Sequence, residues 1–294
     1  MNIISQKFKK LSTNLIFSLK NKEIKSILGR QRLKFNRQQI IEYVQIIFEH
    51  TIKQITFKKL HQQSLNKVKY SCFMSNISLF AKLFQYLFTN INKKIGILPS
   101  KLLNIVDTTL IEEKKVNFIT QDDWDSGRVT TRTNKKNKQK IYTCGSKGLL
   151  FVNRFSKIYH ARLLDINFSD QNILKDFPHY LSQLKGILLA DRGFNNKCVR
   201  ERLNNIGNKN LLFNIFNHNQ TTCRLISPPH YKEKVNLTEK ERKLYKRRWK
   251  IETVFQQLKQ NYSNYKLNLK GKYTKILKTA KFYTALIIYN LSPQ

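Results

Sequence analysis

Four polar residues near the C-terminal end of the chain have the types and the spacing to do chemistry: Tyr245, Arg248, Glu252 and Lys259. On an α-helix, with about 100° between successive residues, all four fall on one narrow strip of the surface. The strip holds an aromatic hydroxyl, a carboxylate and two cations. Glu252 is the last acidic residue of the chain, so its carboxylate stands alone in a cationic field.

An apolar stripe lies directly beside this strip on the same helix, made up of Leu244, Ile251, Val254, Phe255 and Leu258. The pattern predicts a helix that buries one side and holds the polar strip along the edge of the core. The alternative is a basic amphipathic helix with a solvated charged face. Thr238 and Glu241 form a capping box that begins the helix, which explains Glu241 but leaves Glu252 without a structural role.

Two further carboxylates belong to predicted strands. Asp107 is the one charge inside the apolar run 102–111, and Asp191 ends the run 186–191. Burying an isolated carboxylate is costly, so Asp107 needs a partner, and either a metal ion or a structural hydrogen-bond donor would serve.

The charge of the whole chain restricts its partners. A net charge of +37 over 294 residues is far outside the usual range for an enzyme of small substrates and predicts a polyanionic partner, DNA or RNA first. A membrane surface is the competing polyanion, but no apolar run approaches the roughly 20 residues that a spanning helix needs. We therefore expect a cytoplasmic protein with no membrane partner.

Hydrophobic periodicity predicts three regions along the chain. Residues 1–34 form a basic N-terminal arm, either a DNA-contacting segment or a solvated terminus, and residues 35–100 form a small all-α region that could bind DNA. Residues 101–294 form a third domain, in which residues 112–140 are expected to be a solvated loop.

The element order within that third domain predicts its fold. A strand with Asp107 is followed by two antiparallel strands (149–152 and 158–164), a helix from Ser169, the strand with Asp191, a helix (195–205), a strand (211–216) and the Glu252 helix. A closing amphipathic helix follows at 273–290. This is the order of an RNase H-like α/β fold, a mixed sheet with flanking helices. In such a fold the three carboxylates converge, and carboxylate oxygens are the ligands that Mg²⁺ prefers.

The spacing Y-x2-R-x3-E-x6-K resembles that of DDE-type insertion-sequence transposases, and all four positions match. The similarity extends to the V-D-T-T context of Asp107 and the L-A-D-R-G-F context of Asp191, and covers residues 102–292. Larger members carry a β-rich domain before the glutamate helix. Only residues 217–237 are present here, so the chain resembles the compact members.

The resemblance implies roles for six residues. Asp107, Asp191 and Glu252 would be the catalytic triad holding two Mg²⁺ ions, with Mn²⁺ as a substitute, and Tyr245, Arg248 and Lys259 would contact DNA. Trp249 and Phe255 have no such counterpart and are expected in or near the core.

The implied activity is DNA transposition, with a homodimer acting on double-stranded DNA at the element ends and at the target. Two alternatives remain open at this stage. One is an RNase H-like nuclease that cuts without joining. The other is a non-catalytic basic DNA-binding remnant of a transposase.

Overall fold

The structure, a computed structural model, divides into two compact units. The first unit contains residues 1–97 and 257–294, and the second contains residues 98–256. The residues whose structure is described are 2–29, 35–53, 55–64, 69–116, 129–133, 140–170, 172–173, 186–194, 213–214, 223–229, 237–263 and 274–293.

The first unit is helical. Its helices before residue 98 are α1 (Asn2–Ser18), α2 (Asn21–Leu28), α3 (Arg37–Lys53), α4 (Phe57–Gln63) and α5 (Tyr70–Lys94). Closely packed rings fill its centre: Phe8 stacks on Phe48 with ring centroids 3.7 Å apart, and Tyr43 packs on Phe80 at 4.6 Å. Isolated helices are only marginally stable in water, so the packing of these aromatic rings holds the helices together.

The N-terminal residues belong to this helical core. Phe8, Ile16, Ile24 and Leu28 are all buried, so residues 2–29 form packed helices rather than a solvated terminus. Gly29 ends α2 in the left-handed conformation, with φ at 64°. The domain boundaries expected at residues 34 and 100 stay predictions.

In the part of the second unit that the structure describes, the strands form a seven-stranded mixed sheet. Its strands are β1 (Leu103–Val116), β2 (Val129–Thr133), β3 (Lys140–Asn153), β4 (Ile158–Asp165), β5 (Gly186–Ala190), β6 (Phe213–Asn214) and β7 (Cys223–Ile226). The order across the sheet is β2-β3-β1-β5-β7-β6, and β4 pairs with β3 as well.

Strand directions follow the expected plan. β1, β3 and β4 pair antiparallel in turn, whereas β1 with β5 and β5 with β7 pair parallel. The predicted RNase H-like α/β fold is therefore confirmed. Gly186 opens β5 with φ at +74°, and a Cβ there would lie 2.3 Å from the carbonyl oxygen of Lys101, so only glycine fits this crossing.

Three helices end the described chain: α6 (Glu239–Tyr245), α7 (Trp249–Ser263) and α8 (Thr274–Leu291). The expected capping box begins α6, because the Thr238 N–H donates to Glu241 Oε2 at 2.8 Å and the Glu241 N–H donates to Thr238 Oγ1 at 3.3 Å. The predicted closing helix is α8. No described helix is long and apolar enough to span a membrane.

Two local predictions were wrong. Residues 112–140 do not form one solvated loop, because β1 runs on to Val116, β2 covers Val129–Thr133 and β3 begins at Lys140. β3 lies between β1 and β2 in this region. Backbone pairing places Cys144 of β3 opposite Lys114 of β1 on one side and opposite Val129 of β2 on the other. Backbone hydrogen bonds place polar residues in strands here, where the hydrophobic pattern gives no signal.

The parallel partner of β5 was also misplaced. The strand predicted at 211–216 corresponds to β6, of which Phe213–Asn214 is described, and it lies at the sheet edge, antiparallel to β7. β7 itself lies within residues 217–237, where no strand was predicted. Of the predicted helices at 169–184 and 195–205, only residues 169–170 and 172–173 lie inside the described residues, and residues 170 and 172–173 are helical.

Candidate active site

Asp107 and Asp191 lie side by side where the parallel pairing of β1 and β5 ends. In the parallel pair β1–β5, Val106 is opposite Ala190, the last matched pair of the register. Asp107 and Asp191 are the next residues of the two strands. Neighbouring strands lie about 4.8 Å apart, so the pairing of β1 with β5 alone brings the two aspartates to adjacent positions.

The backbone around Asp191 is fixed by short-range bonds. The Arg192 N–H donates to Asp191 Oδ1 at 2.7 Å, and the Phe194 N–H donates to the Asp191 carbonyl at 3.0 Å in a single 3₁₀ turn. The Ser227 hydroxyl, one residue beyond β7, donates to the same carbonyl at 2.8 Å. The carboxylate is therefore held at the end of its strand by both the following turn and the neighbouring strand.

The third carboxylate, that of Glu252, belongs to a helical segment that a 3₁₀ turn interrupts. α6 ends at Tyr245, residues Lys246–Arg248 form the 3₁₀ turn, and α7 begins at Trp249. In a 3₁₀ turn residues three apart eclipse each other, which brings Arg248 over Tyr245. The Arg248 guanidinium carbon lies 5.8 Å from the centroid of the Tyr245 ring.

Side chains of this helical segment reach both aspartates. The Tyr245 hydroxyl donates to Asp191 Oδ1 at 3.3 Å. Arg248 donates through one terminal nitrogen to Asp107 Oδ2 and through the other to Glu252 Oε1, the latter at 2.9 Å. One guanidinium thus joins the strand carboxylate to the helix carboxylate, with its fork geometry suited to two oxygens at once.

The apolar stripe keeps α7 in this position. Ile251, Val254, Phe255 and Leu258 are all buried, as predicted, whereas Leu244 at the end of α6 is only half-buried. Trp249 does not follow the prediction: its side chain is 59% exposed. It directly follows the 3₁₀ turn, whose tighter winding turns it away from the apolar stripe.

Burial dominates the electrostatics of Asp107. Desolvation raises the pKa of its carboxyl to about 6, although the Thr108 N–H and Arg248 both favour the charged form. Asp191 and Asp170 raise it further through like-charge repulsion. Burial outweighs the ion pair with Arg248, because the Asp107 side chain is only 13% exposed.

The two helix groups also have shifted pKa values. Burial raises the pKa of the Tyr245 hydroxyl to about 12, so it stays protonated and donates to Asp191. Burial alone would lower the pKa of Arg248, but the nearby Asp107, Tyr245, Asp191 and Glu252 outweigh it and raise the pKa. Arg248 is therefore a permanent cation in a cluster of acids.

The donor chemistry of the cluster fits a hard divalent cation. Asp107, Asp191 and Glu252 offer only oxygen atoms, the ligands that Mg²⁺ and Mn²⁺ prefer. Among the described residues, no three His, Cys, Asp or Glu side chains converge closely enough to hold a metal ion as they stand. The Arg248 guanidinium forms ion pairs with both Asp107 and Glu252, so these two carboxylates already share one cation.

Of the six predicted site residues, five belong to this cluster: Asp107, Asp191, Tyr245, Arg248 and Glu252. Lys259 is exposed on α7, in the first unit, and is not part of the cluster. Whether the six residues have the predicted catalytic, metal-binding and DNA-binding roles stays a prediction.

Sequence reasoning missed a second group beside the cluster. Asp170 Oδ1 accepts from the Thr108 hydroxyl at 3.0 Å and from Lys147 Nζ at 3.1 Å. Neither Asp170 nor Lys147 was among the site residues predicted from the sequence. The V-D-T-T context contained the signal, since the residue after Asp107 carries a hydroxyl that needs an acceptor.

A mixed RNase H-like sheet that carries two neighbouring aspartates, with a glutamate on a helix joined to one of them through Arg248, is typical of enzymes that process nucleic acids. One family model agrees with this assignment. The family described as "Transposase DDE domain" matches residues 100–291, and the chain belongs to that family. The resemblance to DDE-type transposases is thereby confirmed at the level of the family.

A solved structure described as the piggyBac transposase synaptic complex with hairpin DNA is similar over 98% of this chain and 74% of that one, with 10% identity and a TM-score of 0.47. No curated protein matches the sequence significantly.

Proposed function

We propose that this protein is a DNA transposase of an insertion sequence, which cleaves DNA at the element ends and joins the freed 3′-hydroxyl to target DNA. One observation carries the proposal. The register of β1 and β5 brings Asp107 and Asp191 together, and Arg248 and Tyr245 connect both to the helix that carries Glu252.

Asp107, Asp191 and Glu252 are the residues that would hold two Mg²⁺ ions, or Mn²⁺ in their place. When bound, such a pair of ions activates a water or a 3′-hydroxyl and stabilises the leaving oxygen of phosphoryl transfer. Burial of Asp107 supports this role, because a desolvated carboxylate gains more from a nearby cation than a solvated one does.

Arg248 and Tyr245 would hold the scissile strand. A guanidinium can bind two phosphate oxygens with the same fork that it uses for two carboxylates, so Arg248 can exchange its acids for the DNA backbone. The Tyr245 hydroxyl, with its pKa near 12, remains a hydrogen-bond donor at every working pH. Lys259 would add a phosphate contact further along α7.

DNA is the partner that the charge of the chain favours. A net charge of +37 attracts the phosphate backbone without reading the sequence. A transposase must bring two element ends together, so we expect a homodimer on DNA. Sedimentation of the protein with a short end duplex tests this, and a complex with one copy per duplex at all concentrations would contradict it.

The test of the function uses the full chain and duplex DNA carrying the flanking ends of its own element. We expect strand cleavage with Mg²⁺, none with chelator, and loss of at least about a thousandfold in rate for Glu252→Gln. The matched control is Glu239→Gln, which removes the same charge from exposed α6, where Glu239 pairs with Lys243 at 2.9 Å.

Adding a target duplex separates transposase from nuclease. Joined product supports the proposal, whereas cleavage without joined product favours an RNase H-like nuclease. DNA binding without cleavage in wild type and variant alike favours a non-catalytic remnant and overturns the proposal.

A further inference from the structure

We infer that Asp170 is a positioning residue of the active site, which holds the segments carrying Asp107 and Asp191 at their working separation. The inference rests on the proposed function, because it assigns Asp170 a part in cation binding by those two residues. Asp170 touches neither carboxylate. It acts through Thr108, which follows Asp107, and through Gly193, which follows Asp191 by two residues.

The contact with β1 is direct. The Thr108 hydroxyl donates to Asp170 Oδ1 at 3.0 Å, and the Thr108 N–H donates to Asp107 Oδ1 at 2.8 Å. One residue is therefore bonded to Asp170 through its side chain and to Asp107 through its backbone. Any displacement of Thr108 moves the donor that orients the Asp107 carboxylate.

Strand geometry places the contact between Thr108 and Asp170 on the face of the sheet opposite to Asp107. Successive side chains of a strand point to opposite faces of the sheet, so Thr108 leaves β1 on the face opposite to Asp107. Asp170 contacts β1 from that face, so it does not occupy the face on which the Asp107 side chain lies. Its bonding partner Lys147 lies on the same face, because Lys147 of β3 is opposite Leu110 of β1 and Thr108 is opposite Leu149.

The contact with the loop after Asp191 is a packing contact. A Cβ added to Gly193 would lie 3.3 Å from Asp170 Cβ and 3.4 Å from Asp170 Oδ2. The backbone at Gly193 therefore lies against the Asp170 side chain. The same carboxylate that holds Thr108 also limits how far the turn after Asp191 can approach.

Lys147 keeps Asp170 in place. Its ammonium donates to Asp170 Oδ1 at 3.1 Å and to the Phe168 carbonyl at 2.6 Å, and its side chain is only 14% exposed. A buried ammonium with two fixed acceptors has little freedom, so it pins both the carboxylate and the backbone that precedes it. Asp170 is thus held at a single position.

The simpler interpretation, an acid in a first helical turn that interacts with the helix dipole, accounts for less. It explains a negative charge at Asp170. It does not explain why one oxygen accepts from two different strands, or why the side chain packs against Gly193. The contacts with β1, β3 and the loop after Asp191 are those expected of a residue that fixes the position of metal ligands from outside their shell.

The test measures cation affinity and catalysis separately. Mn²⁺ binding is measured by calorimetry, and single-turnover cleavage of end DNA gives the rate and the DNA affinity, for Asp170→Ala, Thr108→Val, the double variant and Asp165→Asn. Asp165→Asn is the matched control, because Asp165 is an exposed acid at the end of β4. Thermal unfolding confirms that each variant is folded.

We expect Asp170→Ala and Thr108→Val each to weaken Mn²⁺ binding and slow cleavage by about 10- to 100-fold, with DNA affinity unchanged. Because both act through one hydrogen bond, the double variant should lose no more than the larger single loss. Asp170→Asn keeps an acceptor oxygen for Thr108 and loses the charge facing Lys147, so it should recover part of the loss. Asp165→Asn should match wild type.

Several outcomes overturn the inference: Mn²⁺ affinity unchanged in Asp170→Ala, losses that simply add in the double variant, or a wild type that does not bind Mn²⁺. If Asp170→Ala does not fold, the Asp170→Asn and Thr108→Val measurements decide it. A wild type whose Mn²⁺ affinity depends on Asp170 but which does not cleave DNA would sink the proposed function and leave the inference standing. If wild type cleaves DNA and Asp170→Ala cleaves it equally fast, the proposed function stands and the inference fails.

Discussion

Arg248 binds Asp107, a residue 141 positions earlier in the chain, and Glu252, one turn further along its own helix. The guanidinium therefore places its single positive charge against two of the three acids of the proposed triad. A divalent cation would need the same oxygens, so Arg248 and the cation compete for them. DNA phosphate offers Arg248 an alternative partner, which couples DNA binding to cation binding.

The first prediction follows from this competition. Arg248→Gln removes the internal cation and leaves Asp107 and Glu252 repelling each other, so Mn²⁺ should bind more tightly to the free protein, by about tenfold. Calorimetry without DNA measures this. Cleavage should nevertheless fall, because the phosphate contact is lost. Mn²⁺ affinity equal to or below that of wild type would show that Arg248 does not occupy the cation site.

The second prediction concerns the Tyr245 hydroxyl. Tyr245→Phe removes the donor to Asp191 Oδ1, which keeps the Arg192 N–H as a second donor. We expect a loss of about 1 kcal/mol in the free energy of unfolding and a cleavage rate lowered about tenfold with little change in DNA affinity. Chemical denaturation and single-turnover kinetics test this. A rate equal to wild type would show that the bond has no catalytic value.

The third prediction is that Asp107→Asn stabilises the free protein. Burial raises the Asp107 pKa from 3.8 to about 6, so the folded chain binds this proton more readily than the unfolded chain. Ionised Asp107 therefore lowers stability above pH 6, and the penalty disappears as the pH falls through about 4. Two pKa units correspond to about 3 kcal/mol, an upper limit because the amide weakens the contact with Arg248.

Thermal unfolding across this pH range, without divalent cations, measures the effect. Asp107→Asn should unfold at a higher temperature than wild type at pH 7.5, and the difference should shrink toward pH 4. Glu239→Gln, an exposed change, serves as the control. A variant less stable than wild type at pH 7.5 would mean that the ion pair with Arg248 outweighs burial.

The fourth prediction separates a phosphate contact from the cluster. Lys259→Ala removes an exposed cation outside the cluster, so DNA binding should weaken similarly for all sequences while Mn²⁺ affinity stays at the wild-type value. The slope of log binding constant against log salt should decrease by about one. The exposed Lys240 on α6 provides a matched substitution. Equal slopes for Lys259→Ala and wild type would remove Lys259 from the DNA interface.

Local patterns in the sequence were enough to predict the main strands and helices of the site. The apolar run before Asp107, the run before Asp191 and the stripe containing Ile251 each bury their side chains as expected. These runs are long or periodic, and burial is what such patterns report. The RNase H-like order followed from their succession along the chain.

Contacts between distant residues could not be read in the same way. Thr108 and Asp170 are 62 residues apart and show no pattern before the strands pair. β7 is a strand because β5 offers it backbone partners, whereas its own four residues, which include Arg224, carry little signal. The 3₁₀ turn at Lys246–Arg248 lies inside an uninterrupted helical pattern, so the exposure of Trp249 was also unexpected.

The chain between β7 and α6 joins two ends that are fixed separately. Ser227 is bonded to the Asp191 carbonyl, and Thr238 is bonded into the cap of α6. Neither anchor depends on the number of residues between them. A loop or a whole domain inserted there would leave all three acids in place, so this is where relatives of the family can gain new parts in evolution without rebuilding the catalytic centre.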